Sequence, residues 1–117
     1  MADLTDAQVD AANAHGEEFL RGKPLARAVR YDRTTRMIVI DLTNGSTFAF
    51  PPTLAQGLEQ ATPEQLDGVE ISGGGFGLHW EALDVDFTVP GLLAGRFGTA
   101  RYMRERFGEH WNAAAAE

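Results

Sequence analysis

A histidine, a tryptophan and two aspartates lie close enough in the sequence to do chemistry together. His79 directly precedes Trp80, and Asp84 and Asp86 are separated by one residue. Residues two apart on a strand share a face, so the two carboxylates could converge on a hard cation. A histidine beside a large aromatic residue could also serve as a general base or as part of a ligand-stacking pair.

The same residues have a structural interpretation, which we favour. Apolar residues alternate with the two aspartates, namely Leu83, Val85 and Phe87. This alternation is typical of a strand that places the aspartates in solvent and the apolar residues in the core. The His-Trp pair would then close the edge of that core. We therefore predict no catalytic and no cofactor-binding residue, and we keep three metal-site candidates: His79, Asp84 and Asp86.

The glycine-rich stretch at residues 73–77 resembles a phosphate-binding loop only superficially. Such a loop leads into a helix whose N–H groups point at the anion, usually with a lysine nearby. Here a strand-like segment follows, and no lysine lies near it. The stretch therefore predicts a hairpin turn.

Arginines and aromatic residues alternate near the end of the chain. Residues 96–107 include four arginines, of which Arg101 and Arg104 are one helical turn apart. They could contact phosphates, but a net charge of -7 repels polyanions and no nucleic-acid-binding motif is present. We predict that this chain alone binds no nucleic acid. The candidate interaction surface comprises Arg96, Arg101, Tyr102 and Arg104, together with His79 and Trp80.

The charges are unevenly distributed along the sequence. All ten Lys and Arg residues lie within residues 21–36 or 96–106, and residues 37–95 contain acidic residues but no Lys or Arg. If the two basic clusters meet in space, the resulting dipole could steer a charged partner or promote self-association. The alternative is a well-solvated surface whose charges separate only in sequence.

Length and composition predict one small cytoplasmic domain. A chain of 117 residues with 44% hydrophobic residues can build a single core. It has no cysteine, and its acidic first ten residues do not resemble a secretory signal. No apolar run approaches the roughly 20 residues that a membrane-spanning helix needs.

The pattern of residues divides the chain into an arm, a domain and a tail. We predict a helical N-terminal arm at residues 1–24, in which Thr5 and Gln8 form a capping box. Residues 25–110 form a single α+β domain, and residues 111–117 form a frayed tail.

Within the domain we predict strands at residues 26–31, 37–42, 46–50, 69–72 and 76–80, followed by the alternating residues 83–87. Asn44-Gly45 is typical of a type I′ hairpin turn. Short helices are predicted from Leu54 to Ala61, from a capping box at Thr62, and at residues 88–97 and 99–107. The predicted fold is an antiparallel meander of about four or five strands flanked by short helices.

Several of these segments together resemble a known family. They read LTNGSTFAFPP, LAQGLEQATPEQLDGVEIS and GFGLHWEALDVDFTVPGLLAG, and the specific part is Gly77-Leu78-His79-Trp80 followed by Leu83-Asp84-x-Asp86-Phe87 and Leu92-Leu93. Across residues 26–107 the chain is similar to the bacterial and phage family called domain of unknown function 2442. The resemblance implies a small α+β domain with no established enzymatic activity, and some relatives are regarded as antitoxins.

The leading hypothesis is a non-enzymatic protein-binding or regulatory module without a cofactor. The resemblance gives it a more specific form, an antitoxin-like partner of a small bacterial toxin. Three alternatives stay open at this point: a homo-oligomeric structural domain, a metal-dependent protein and a nucleic-acid-binding protein.

Overall fold

The computed structural model of the protein describes residues 24–108. The helical arm predicted for residues 1–24 and the tail predicted for residues 111–117 lie outside this range, apart from Pro24. The predicted domain limits therefore stay predictions.

The fold is α+β, with two separate three-stranded antiparallel sheets in the described part of the chain. The first sheet has the order β1-β2-β3 and the second the order β4-β5-β6. The single meander of four or five strands was therefore wrong in strand number and in sheet organisation. The strands are β1 Ala26–Asp32, β2 Met37–Leu42, β3 Thr47–Phe50, β4 Val69–Ser72, β5 Gly77–Trp80 and β6 Val85–Thr88.

The turn between β2 and β3 is not the predicted type I′ turn. That type needs positive φ at both central residues, whereas only Gly45 has it, at +90°. The Gly45 N–H donates to the Leu42 C=O, and the Leu42 N–H donates to the Ser46 C=O. This is a three-residue loop, a type I turn closed by a glycine bulge. The Asn44 side chain stabilises it by accepting hydrogen bonds from Ser46.

The connection between the sheets contains less helix than predicted. Residues Pro52–Leu54 form one turn of 3₁₀ helix, and a series of turns continues to Ala61. Gly57, at a φ of +91°, is incompatible with an α-helix there. The capping box at Thr62 is confirmed: its hydroxyl accepts from the Gln65 N–H, and the Gln65 side chain accepts from the Thr62 N–H. It begins helix α1, Pro63–Asp67.

The second sheet has one apolar and one polar face. Its register pairs Glu70 with His79 and His79 with Asp86, so these three lie in one row on the polar face. The opposite face contains Leu78 and Trp80, which are fully buried. Both pack in one core with the apolar face of the first sheet, where Ile38 and Ile40 are also fully buried.

Two helices follow the second sheet, α2 Val89–Leu93 and α3 Ala100–Phe107. Thr88 caps α2 and Thr99 caps α3. Leu92 and Met103 anchor the two helices by burial. Across residues 24–108, every helix is too short or too polar to span a bilayer.

Candidate functional site

The sheet brings His79 between two carboxylates. Its Nδ1 lies 2.8 Å from Asp86 Oδ1, and its Nε2 lies 2.6 Å from Glu81 Oε2. Asp86 is directly opposite His79 on β6, and Glu81 follows β5 in the next turn. The imidazole is one-quarter exposed, whereas both carboxylates are mostly exposed.

The two carboxylates favour the protonated imidazole. The hydrogen bond to Glu81, followed by that to Asp86, raises the pKa of His79 from its ordinary value of 6.5. In the charged form both ring nitrogens donate, so one imidazolium bridges two carboxylates. The cluster therefore braces β5 against β6 and the turn that joins them.

This arrangement leaves no free imidazole nitrogen for a metal or a substrate proton, since each faces a carboxylate. The metal hypothesis required Asp84 and Asp86 to share one face of a strand, but Asp84 is not part of β6. It lies in the preceding turn in the left-handed conformation, with φ of 52°. Within residues 24–108, no three His, Cys, Asp or Glu side chains are grouped so that they could hold a metal ion.

Trp80 does not belong to an interaction surface. The sequence hypothesis placed it there, but its side chain is fully buried and packs edge-on against Phe87, with ring centroids 6.3 Å apart. Neighbouring strand residues point to opposite faces, so the exposure of His79 forces Trp80 into the core.

A groove of about 510 Å³ runs along β6, on the side away from β5. Asp86 and Thr88 of β6 line it. Gln56 and Thr99, from two other segments of the chain, also line it, and they are joined because the Thr99 N–H donates to Gln56 Oε1 at 3.0 Å. The Gln56 N–H also donates to the Phe97 C=O at 2.8 Å, which fixes Gln56 to the chain before α3.

The register determines which backbone groups of β6 face this groove. The Val89 N–H donates to the Phe76 C=O at 2.7 Å, which makes these opposed residues a hydrogen-bonded pair. In an antiparallel ladder such pairs alternate with non-hydrogen-bonded pairs. The pair of His79 and Asp86 is therefore non-hydrogen-bonded, and the Asp86 N–H and C=O point away from β5.

By this alternation, three backbone groups of β6 point away from β5: the N–H and C=O of Asp86 and the N–H of Thr88. In the described part of the chain, β6 pairs with β5 alone and no hydrogen bond reaches any of the three. A strand edge of this kind is a template for pairing with another chain.

Arg96 lines the same groove beyond the end of β6. Its backbone N–H donates to the Gly91 C=O at 2.8 Å, which holds the residue beside α2. Its side-chain Nε is buried without a hydrogen-bond partner among residues 24–108, and its guanidinium forms no ion pair with any of them.

The other predicted surface residues of α3 have different surroundings. Arg101 pairs with Glu105 one turn later at 3.0 Å, and Arg104 is exposed. The Tyr102 hydroxyl donates to the Leu54 C=O at 2.6 Å, which attaches α3 to the 3₁₀ turn. Of these candidates, only Arg96 lines the groove.

The comparison with protein families agrees with the resemblance seen in the sequence. Residues 26–98 match the family described as Protein of unknown function (DUF2442). The chain belongs to this family. The matched residues of this DUF2442 member include all six strands and Arg96, and they end before α3.

Two solved structures resemble this DUF2442 chain. A crystal structure of a protein of unknown function from Rhodospirillum rubrum is 59% identical, with a TM-score of 0.67, and covers 69% of this chain and 98% of its own. A solution NMR structure of an uncharacterized protein from Chromobacterium violaceum is 36% identical, with a TM-score of 0.69, and covers 89% of this chain and 95% of its own. No curated protein matches.

Sequence reasoning missed Glu81 and the outward backbone of β6. Glu81 lies two residues after His79, but a turn, and not a continuing strand, brings it to the imidazole. The position of β6 at a sheet edge has no local signal, because strand order depends on long-range pairing. Gln56 was missed for the same reason, since its partner Thr99 is 43 residues away.

Proposed function

We propose that this DUF2442 protein is a non-enzymatic protein-binding module, and that its binding face is the groove along β6. The observation that carries the proposal is the outward edge of β6, where Asp86 and Thr88 direct unpaired backbone groups into a groove of about 510 Å³. An extended partner segment would add a strand there and form main-chain hydrogen bonds with β6.

The structure of the His79 cluster supports a role without catalysis. A general base needs a nitrogen directed at the proton that it removes. Both nitrogens of His79 instead bond to Glu81 and Asp86. His79 is the single histidine within residues 24–108, and both of its contacts with carboxylates are of this kind.

The walls of the groove favour an extended segment over a second folded copy. Gln56 and Thr99 also line the groove, and a second copy that brought its own β6 there would carry the same two side chains with it. A single extended strand needs only about 5 Å of spacing from β6. The occupant is therefore a flexible segment or terminus of another protein.

The proposal extends to a regulatory role in the cytoplasm. In the antitoxin-like version of the proposal, the partner is a small basic protein. Such a partner suits the net charge of -7 and the exposed Glu81 and Asp86 beside the groove. The absence of cysteine suits a reducing compartment.

The test compares Asp86→Pro with Asp86→Ala in affinity purification from the native host. Both variants lose the carboxylate that bonds to His79, but only proline also removes the outward N–H, and an outward position on an edge strand tolerates proline. We expect one stoichiometric partner with the wild type and with Asp86→Ala, and its loss with Asp86→Pro. A partner retained equally by both variants, or repeated recovery of the chain alone, would contradict the proposal.

The uneven charge distribution favours a second candidate function, a homo-oligomeric structural domain. Residues 37–95 contain no Lys or Arg, while Arg101 and Arg104 lie on exposed parts of α3. Such copies would associate through opposite charges, which salt screens. Sedimentation velocity at low and high salt decides: a monomer under both conditions excludes this candidate.

A further inference from the structure

We infer that the groove along β6 receives the carboxyl terminus of the partner protein, with its terminal carboxylate bound by Arg96. This inference rests on the proposed function, because it requires that the groove binds an added strand. It also specifies the chemical group by which the partner is recognised.

The unpaired guanidinium is the first observation. Arg96 lines the groove, and its buried Nε has no hydrogen-bond partner among residues 24–108. A buried donor without a partner destabilises the protein, and an arginine is best satisfied by a carboxylate, which accepts two parallel hydrogen bonds. The Arg96 side chain as a whole is partly exposed in the groove, so a ligand carboxylate there would give this guanidinium an ionic partner.

The end of the strand edge is the second observation. The Val89 N–H is already used by Phe76, and Pro90 has no N–H to donate. A strand added along β6 therefore has no further backbone partners beyond Thr88. Arg96 lies beyond this point, beside Gly91. A segment that runs parallel to β6 and ends there would place its terminal carboxylate near the guanidinium.

The charge around the groove favours a chain terminus over an acidic side chain. Asp84 and Asp86 also line the groove, so an acid-rich segment would be repelled along most of its length. A terminal carboxylate brings one negative charge to the position of Arg96 and allows neutral or basic residues beside the two aspartates. The observations thus match one terminus better than an internal acidic motif.

The experiment uses the full chain and a phage-displayed library of random peptides with free carboxyl termini. A selected peptide is then synthesised as the free acid and as the C-terminal amide, and its affinity is measured by calorimetry. We expect amidation to weaken binding about 10- to 100-fold, because the charge-assisted hydrogen bonds are lost. Arg96→Gln should weaken the free acid by a similar factor and should not discriminate between acid and amide.

The control variant is Arg30→Gln, which removes an exposed arginine of β1 away from the groove and should leave the affinity unchanged. Amide hydrogen exchange by NMR locates the peptide: the Asp86 and Thr88 N–H groups should exchange rapidly in the free protein and become protected in the complex. Protection of both in the free protein would overturn the inference, because the edge would already be occupied.

The outcomes separate this inference from the proposed function. Equal affinity of the acid and the amide, with Asp86 and Thr88 still protected, overturns the role of the carboxylate and leaves strand addition in place. If no peptide is selected, or if bound peptides leave both amides unprotected, the inference and the proposed groove fail together. If Arg96→Gln does not fold, the comparison of acid with amide on the wild type decides alone.

Discussion

At the scale of single residues, His79 links protonation to stability. Its folded-state pKa is raised because Glu81 and Asp86 accept hydrogen bonds from the charged ring. A group with a raised pKa contributes stability that is fully present below its unfolded value and is lost as pH rises through the folded value. The cluster thus stabilises the fold more at mildly acidic than at alkaline pH.

Replacing either carboxylate should lower the pKa of His79. We expect Glu81→Gln to lower it most, because that hydrogen bond is the largest cause of the shift, and Asp86→Asn to lower it less. NMR titration of the His79 ring protons measures both. Glu70→Gln is the matched control, since Glu70 lies in the same row without bonding to the ring. Equal pKa values in the wild type and Glu81→Gln would refute the assignment.

The contribution of His79 to stability should depend on pH. We expect the difference in unfolding free energy between the wild type and His79→Gln to be larger at about pH 5.5 than at about pH 8.5, since a larger fraction of the imidazole is charged at the lower pH. Urea denaturation at the two pH values provides the measurement. A difference that grows with pH would show that the neutral ring is the stabilising form.

At the scale of elements, two glycines in the turn between β4 and β5 are constrained in different ways, Gly74 by its backbone conformation alone and Gly75 also by close contact with β1. Gly74 and Gly75 both have positive φ, at 66° and 105°. A Cβ on Gly74 would meet no atom within 4 Å, whereas one on Gly75 would lie 2.6 Å from the Ala26 carbonyl oxygen of β1. Gly75 is thus the point where the two sheets approach each other most closely along this turn.

Alanine substitutions should distinguish these two glycines. We expect Gly74→Ala to cost about 1–2 kcal/mol, the strain of a left-handed residue. Gly75→Ala should cost about 1–3 kcal/mol more, because the backbone of β1 must also move. The midpoints of urea denaturation give both values. Equal costs would mean that β1 and the turn are not in contact.

The capping box at Thr62 determines where α1 begins. Thr62→Ala removes the hydroxyl that accepts from the Gln65 N–H, and we expect a loss of about 1 kcal/mol. Thr62→Ser keeps the hydroxyl and should cost much less. Thermal denaturation of the two variants under the same conditions makes the comparison, and an equal loss in both would assign the effect to the methyl group.

At the scale of the whole molecule, the net charge of -7 governs encounters with polyanions. We expect no shift of duplex DNA in gel electrophoresis at about 50 mM salt, since repulsion opposes any local contact from α3. Binding that weakens with salt and is reduced by Arg104→Ala would show that local arginines outweigh the total charge. Arg101→Ala is the milder comparison, because Arg101 already pairs with Glu105.

Local patterns predicted much of the described fold. The strand predicted at residues 37–42 is present as β2, and its Ile38 and Ile40 are fully buried. Thr62 was predicted as a cap from its side chain and its neighbours, and it accepts the expected backbone hydrogen bond. The prediction of a type I′ turn was wrong because a loop that is one residue longer has a different turn type although it contains the same Asn44-Gly45 pair.

Local patterns were enough to predict most of the strands, the Thr62 cap, the charge distribution and the family resemblance, because these depend on residues a few positions apart. Long-range contacts divide the strands into two sheets and leave β6 at an edge, with Asp86 facing a groove. The same contacts place Asp86 and Glu81 on either side of His79. The reason is that strand order and groove walls depend on contacts such as Gln56 with Thr99, whose partners are far apart in the chain.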